Sequence, residues 1–257
     1  MLTALLLTTA LAAGVTGAWS PCGLSLVETL APDGFARRLR TSLAACATFA
    51  IGAVAGGAIT YGGLALVGAA LGAAGSAALG AAAVVAAAAA AAEARGLRIA
   101  PQIRHQVPEA WRRVLAVPVA AAGYGVLLGL GFTTFVLSFA VWALAGASIA
   151  VGDPATGLAI GLAFGAGRAL PVISLAPFAG SDRGGAITAA MCERPAILLA
   201  LRRIDAIALA ACAIALGTAC ASPPASRGVP PSRSRAAHTT PRRPAPCSRG
   251  SGPAGKA

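Results

Sequence analysis

The chain is 257 residues long, 57% hydrophobic and only 11% charged, less than half of the ~25% charge of an ordinary soluble domain. Its mean hydropathy is +0.78, and several apolar runs exceed the ~18–20 residues that cross a bilayer, which excludes a soluble globular enzyme. The net charge of +12 does not imply nucleic acid, because the arginines fall in clusters between apolar runs, as membrane topology requires.

A first helix is expected over residues 2–30, interrupted near Pro21, since proline removes a backbone donor and bends a helix. Its apolar run lacks a basic leader region and continues past Cys22, so it reads as a retained helix. Ala31-Pro32-Asp33-Gly34 ends it, and Arg37, Arg38 and Arg40 form a basic loop. The second helix is expected over 43–71 and the third over 77–92, the latter almost pure alanine, whose small side chains permit close helix contact. A basic loop, 93–116, carries Arg95, Arg98, Arg104, Arg112 and Arg113, with Trp111 as an interfacial anchor and His105 solvated. The fourth helix is expected over 117–145, the fifth over 156–178 and the sixth over 204–221. Between the last two lies a third basic loop, 180–203, and Asp205 with Arg202 and Arg203 reads as an interfacial charge cluster.

The loops after helices one, three and five hold the arginines, which places them in the cytoplasm and both termini outside a cell membrane. The expected organisation is a six-helix transmembrane domain, 1–221, followed by a disordered basic Pro/Ser/Arg tail, 222–257. Within the domain the halves resemble each other. Ala50-Ile51-Gly52 recurs as Ala159-Ile160-Gly161, and Trp19-Ser20-Pro21-Cys22 aligns with Phe132-Thr133-Thr134-Phe135, at offsets of 109 and 113 residues. Three helices per copy, about 1–92 and 117–221, make the repeats inverted, and inverted repeats place a shared site where interrupted helices meet. Pro21-Cys22 and Thr133-Thr134 are then expected to be neighbours.

The six cysteines, Cys22, Cys46, Cys192, Cys212, Cys220 and Cys247, lie mostly in apolar segments and do not form a disulfide framework. Arg168 falls near the middle of helix five, where a charge costs ~2.5–3.5 kcal/mol and needs a partner. Glu28 is the expected partner; the pair is either structural or part of a site that binds an anion or steadies a thiolate. No metal site, cofactor motif, phosphate loop or hydrolase triad is visible.

Ser20-Pro21-Cys22 followed by Gly-Leu-Ser-Leu resembles the Ser-Pro-Cys motif in the first helix of the CcdA/DsbD-type thiol–disulfide membrane carriers (the cytochrome c biogenesis transmembrane region). Six helices in two inverted triplets fit that family, and the stretch from Gly165 through Gly167 and Arg168 to Pro171 resembles its Gly/Pro segment in helix five. The resemblance covers 2–221. It implies transfer of reducing equivalents from a cytoplasmic thioredoxin-like donor to an extracytoplasmic thiol protein, with Cys22 as the first cysteine. The family's second cysteine falls on Phe135, where this chain reads Thr133-Thr134-Phe135. Cys46, Cys212 or Cys220 is then the candidate resolving thiol, unless the partner supplies it. The competing expectations are a small-solute transporter on the same scaffold and a non-catalytic membrane assembly subunit.

Overall fold

The computed structural model describes residues 1–19, 21–32, 38–73, 75–97, 110–132, 138–179, 181, 182, 186, 189 and 195–221, with the side chains of Pro21, Cys22, Leu24, Arg112, Arg113 and Pro195 excepted. Among the described residues the secondary structure is helical throughout: α1 (Leu2–Ala18), α2 (Pro21–Leu30), α3 (Leu39–Ala70), α4 (Ser76–Ala94), α5 (Trp111–Val114), α6 (Val117–Leu130), α7 (Ala140–Val151), α8 (Pro154–Leu175) continued by a 3-10 turn (Ala176–Phe178), and α9 (Pro195–Ala221).

Four of these are long and apolar enough to cross a membrane: Leu39–Ala70, Ser76–Ala94, Pro154–Phe178 and Ala196–Ala221. The other apolar helices, α1, α6 and α7, are shorter. Expected helix one is broken after Ala18, with α2 restarting at Pro21, a residue whose fixed φ suits the first helical position. Expected helix four is not continuous over 117–145: α6 stops at Leu130 and α7 begins at Ala140. The stop is conformational, because Gly131 adopts φ +77°, a left-handed region that side chains with a Cβ avoid. The two breaks follow Ala18 and Leu130, 112 residues apart. Helix six starts earlier than expected, at Pro195, so Arg202, Arg203 and Asp205 lie inside it.

Small residues set the packing. α3 is flanked by α6 and α8, with Gly52 and Gly56 against the backbone of α6 and Gly57 against Gly161 of α8. α1 lies on α8 through Gly14 and Gly167, and α4 packs on α9 and α7. Hydroxyls add interhelical bonds: Thr48 Oγ1 donates to the Pro118 carbonyl at 2.8 Å, and Ser42 Oγ to the Leu30 carbonyl at 2.5 Å. At the start of α8, Asp153 caps the Ala155 and Thr156 amides, and these bonds, the Thr156 hydroxyl foremost, hold its carboxyl below the usual carboxylate range.

Many large aliphatic side chains face outward. Ile51 and Ile59 on α3, Val84 on α4, and Ile207 and Ile214 on α9 are all more than 60% exposed, while alanine supplies much of the interior beside buried residues such as Leu128, Leu144 and Ile160. This distribution suits lipid, where no hydrophobic force drives helices together and close backbone approach replaces it. The arrangement makes a direct prediction. Gly161→Leu is expected to destabilise the fold by at least the ~1–3 kcal/mol of ordinary overpacking, because the added atoms meet the Gly57 backbone. Gly63→Ala, where an added Cβ meets nothing within 4 Å, is the neutral control, and thermal unfolding in detergent compares the two.

Candidate functional site

Breaking a helix leaves carbonyls without intrahelical partners at its C-terminal end and amides at the N-terminal end of its continuation. Buried charged side chains stand at both kinds of end here. At the C-terminal end of α1, Arg168 of α8 is fully buried and donates from Nη1 to the Gly17 carbonyl at 3.3 Å. A cation at this end is favoured by the helix dipole. Its guanidinium carbon sits 5.3 Å from the centroid of the Phe164 ring, a cation–π distance. Gly17 is glycine because a Cβ there meets the guanidinium at 2.8 Å. Phe164 also packs edge-on against Tyr61, with centroids 5.2 Å apart, and lies against Gly131, the residue that ends α6. One turn of α8 therefore touches the ends of both interrupted helices. Pro171 follows in the same helix and removes the amide that otherwise serves the Gly167 carbonyl.

The second cluster gathers at the N-terminal end of α7. Glu93, at the end of α4, accepts from the Phe139 amide through Oε1 at 2.6 Å and from Arg202 Nε through Oε2 at 2.7 Å. Arg202 Nη2 also donates to the Leu97 carbonyl at 2.5 Å. One turn further along α9, Asp205 accepts from Ser138 Oγ at 3.2 Å, and that hydroxyl accepts from the Ala140 amide at 3.1 Å. Negative charge at a helix N-terminus is again the favourable sign. Thr16 of α1 stands beside Asp205, next to the Gly17 that Arg168 holds, so the two clusters adjoin.

These positions correct two expectations. Glu28 is exposed on α2, and among the described residues no ion pair joins it to the buried Arg168. Arg202 and Asp205 are buried rather than interfacial, and Arg202 is committed to Glu93. Glu93, Ser138 and Thr16 carried no sequence signal beyond one: Glu93 is the lone acid closing an alanine run.

Cys22 is the second residue of α2, directly after the break. The next residue, Gly23, is buried against the Ala18 carbonyl so closely that a Cβ there clashes with backbone. Ser20, Thr133, Thr134, Phe135, Cys192, Cys247, His105 and the tail lie outside the described residues, as do the side chains of Pro21 and Cys22. Of the candidate resolving thiols, Cys46 on α3 belongs to the buried cluster that includes Leu26, Val27 and Leu30 of α2. Cys212 Sγ lies 3.0 Å from Thr9 Oγ1, beside a small apolar cavity between α1, α4, α7 and α9. Cys220 Sγ donates to the Ser76 carbonyl at 3.0 Å, near the far end of α4. These three are free thiols. Cys212 and Cys220 thus meet different neighbours.

Sequence comparison finds two curated relatives, both described as methylamine utilization protein MauF. The one from Paracoccus denitrificans is 39% identical over 170 residues, covering 63% of this chain and 60% of the relative. That from Paracoccus versutus is 34% identical over 174 residues, covering 65% of this chain and 64% of the relative. The chain therefore spans less than two thirds of either protein. No family model and no solved structure matches it.

Proposed function

We propose that this chain is a membrane component of CcdA/DsbD type in which Cys22 performs thiol–disulfide exchange for the maturation of an extracytoplasmic thiol protein. The observation that carries the reading is the position of Cys22 in the first turn of a half-helix opened by Pro21, immediately after a break. Helix N-terminal turns favour the thiolate over the thiol, and the thiolate is the nucleophile. It attacks one sulfur of a partner disulfide; the Cys22 S–S bond forms as the partner's S–S bond breaks, and the leaving sulfur departs as a thiolate. A second thiol then attacks the mixed disulfide. Cys46 is the candidate within this chain, since it shares a buried cluster with α2. A thiol of the reducing donor serves equally well, attacking the Cys22 sulfur so that the reduced partner departs as the thiolate and Cys22 is left joined to the donor, whose second thiol releases it.

The similarity to proteins named for methylamine utilization supports a role in that kind of pathway. A cytoplasmic thioredoxin-like donor and an extracytoplasmic thiol protein are the partners this reading proposes. We also propose six crossings in two inverted triplets, α1–α2, α3 and α4 followed by α6–α7, α8 and α9, with both termini outside. The similar breaks after Ala18 and Leu130 support it, as does the matching of α1-on-α8 with α6-on-α3 packing.

A second reading, a small-solute transporter on the same scaffold, is favoured by the buried Arg168 at the end of α1. Two variants separate the readings. Thiol exchange predicts that Cys22→Ser abolishes partner reduction, whereas Arg168→Ala leaves Cys22 alkylation responsive to the donor. Transport predicts the reverse: solute flux lost with Arg168→Ala and untouched by Cys22→Ser. A Cys22→Ser variant that reduces the partner at the full rate removes the first reading.

A further inference from the structure

Thiol exchange at Cys22 makes no use of Asp205, yet the surroundings of that carboxyl are specialised. Asp205 has no exposed surface. Its Oδ2 accepts one hydrogen bond, from Ser138, and Thr16 stands beside it. Its Oδ1 is buried and makes no hydrogen bond of ordinary geometry among the described residues. Among the described residues, the charged groups that face it are Glu93, from α4, and Arg202, on its own helix. From α1 and the start of α7 it meets only the hydroxyls of Thr16 and Ser138, since neither helix contains a titratable side chain.

Among the described residues, one positive charge thus stands near two carboxyls, and the geometry assigns it to Glu93. Arg202 Nε is bonded to Glu93 at 2.7 Å and its Nη2 to the Leu97 carbonyl at 2.5 Å. Glu93 is held again by the Phe139 amide. An ionised carboxylate offers about four acceptor sites and seeks donors for them. Asp205 has one hydroxyl bond of ordinary geometry and a like charge close by. A buried carboxyl in that position neutralises itself rather than remain an unpaired anion.

We propose that Asp205 is a proton-binding site: in this conformation its carboxyl carries a proton, cradled by Ser138 and Thr16 where α1, α7 and α9 meet. Release of that proton sets a second negative charge beside Glu93 and draws the Arg202 guanidinium between two carboxylates. Glu93 and Ser138 both anchor the first amides of α7, so proton binding is tied to the half-helix that restarts after the second break. The ligand is a proton, and the site operates independently of Cys22.

Infrared spectroscopy of the full chain in liposomes tests this, recorded at neutral pH in water and in deuterium oxide. The expected result is a carboxylic C=O band from a buried protonated acid that shifts on deuteration and is absent from Asp205→Asn. Should that variant fail to fold, Asp205→Glu is expected to displace the band. Absence of the band at neutral pH overturns the proposal, as does a band unchanged by either substitution. Loss of the wild-type band when sodium replaces a large organic cation also overturns it, since the site then holds a metal cation.

Discussion

Arg202→Ala is expected to destabilise the folded chain by about 3–5 kcal/mol, the penalty for removing one partner from a buried ion pair. The side chains of Arg202 and Glu93 are 8% and 0% exposed, so water cannot replace the lost guanidinium. Among the described residues, Glu93 is left with the Phe139 amide alone, and the Leu97 carbonyl loses its Arg202 donor. The damage falls at one place in the fold, where the end of α4, the start of α7 and the first half of α9 are joined. The double variant Glu93→Gln with Arg202→Met is expected to recover most of the loss. Glutamine still accepts from the Phe139 amide, neither charge of the pair is left buried, and methionine fills similar volume. Denaturant or thermal unfolding in detergent compares the single and double variants. A single-variant loss under about 1 kcal/mol is the size expected of a solvated surface pair and contradicts this geometry.

Cys22→Ser is expected to reduce thiol exchange to the background level. A serine hydroxyl fills nearly the same space and forms no disulfide, so the fold is retained while the chemistry is lost. Cys46→Ser distinguishes the two routes for resolution. If Cys46 resolves the mixed disulfide, the variant accumulates a stable Cys22 adduct with its partner. If a thiol of the reducing donor resolves it instead, turnover continues at the wild-type rate. Non-reducing electrophoresis after acid quenching reads both. Cys212 and Cys220 are not expected to matter, since they are bonded to Thr9 and to the Ser76 carbonyl on other helices.

The membrane helices were legible because composition leaves no alternative for 57% apolar residues with so few charges. The first break was legible as well, through Pro21 in an apolar run. The second had only the alignment of Phe132-Thr133-Thr134-Phe135 with the first break to point to it, since nothing in Gly131-Phe132-Thr133-Thr134 itself differs from the many Gly-rich turns of helix that stay continuous; the positive φ at Gly131 marks it. Arg168 was found because a charge inside an apolar run stands out. Its surroundings were not, because a carbonyl freed by a helix break carries no sequence signature, and the carboxylate that the sequence offers, Glu28, is exposed. Glu93 and Asp205 were assigned to a loop and an interface because they lie near the ends of apolar runs. Burial there depends on α4, α7 and α9 converging, a long-range property that no local window contains. Glycine positions were visible as composition but not as contacts: Gly57 and Gly161 meet only once α3 and α8 are packed.

The most direct test of the proposed chemistry is capture of the intermediate at Cys22. Cells expressing the full chain are quenched in acid, free thiols are alkylated, and disulfide-linked species of the protein are identified by mass spectrometry. Thiol exchange predicts a mixed disulfide joining Cys22 to a cysteine of a redox partner, enriched by Cys46→Ser if that thiol resolves it, and absent from Cys22→Ser. Recovery of Cys22 as a fully alkylatable thiol under both oxidising and reducing conditions, with no linked partner, contradicts it.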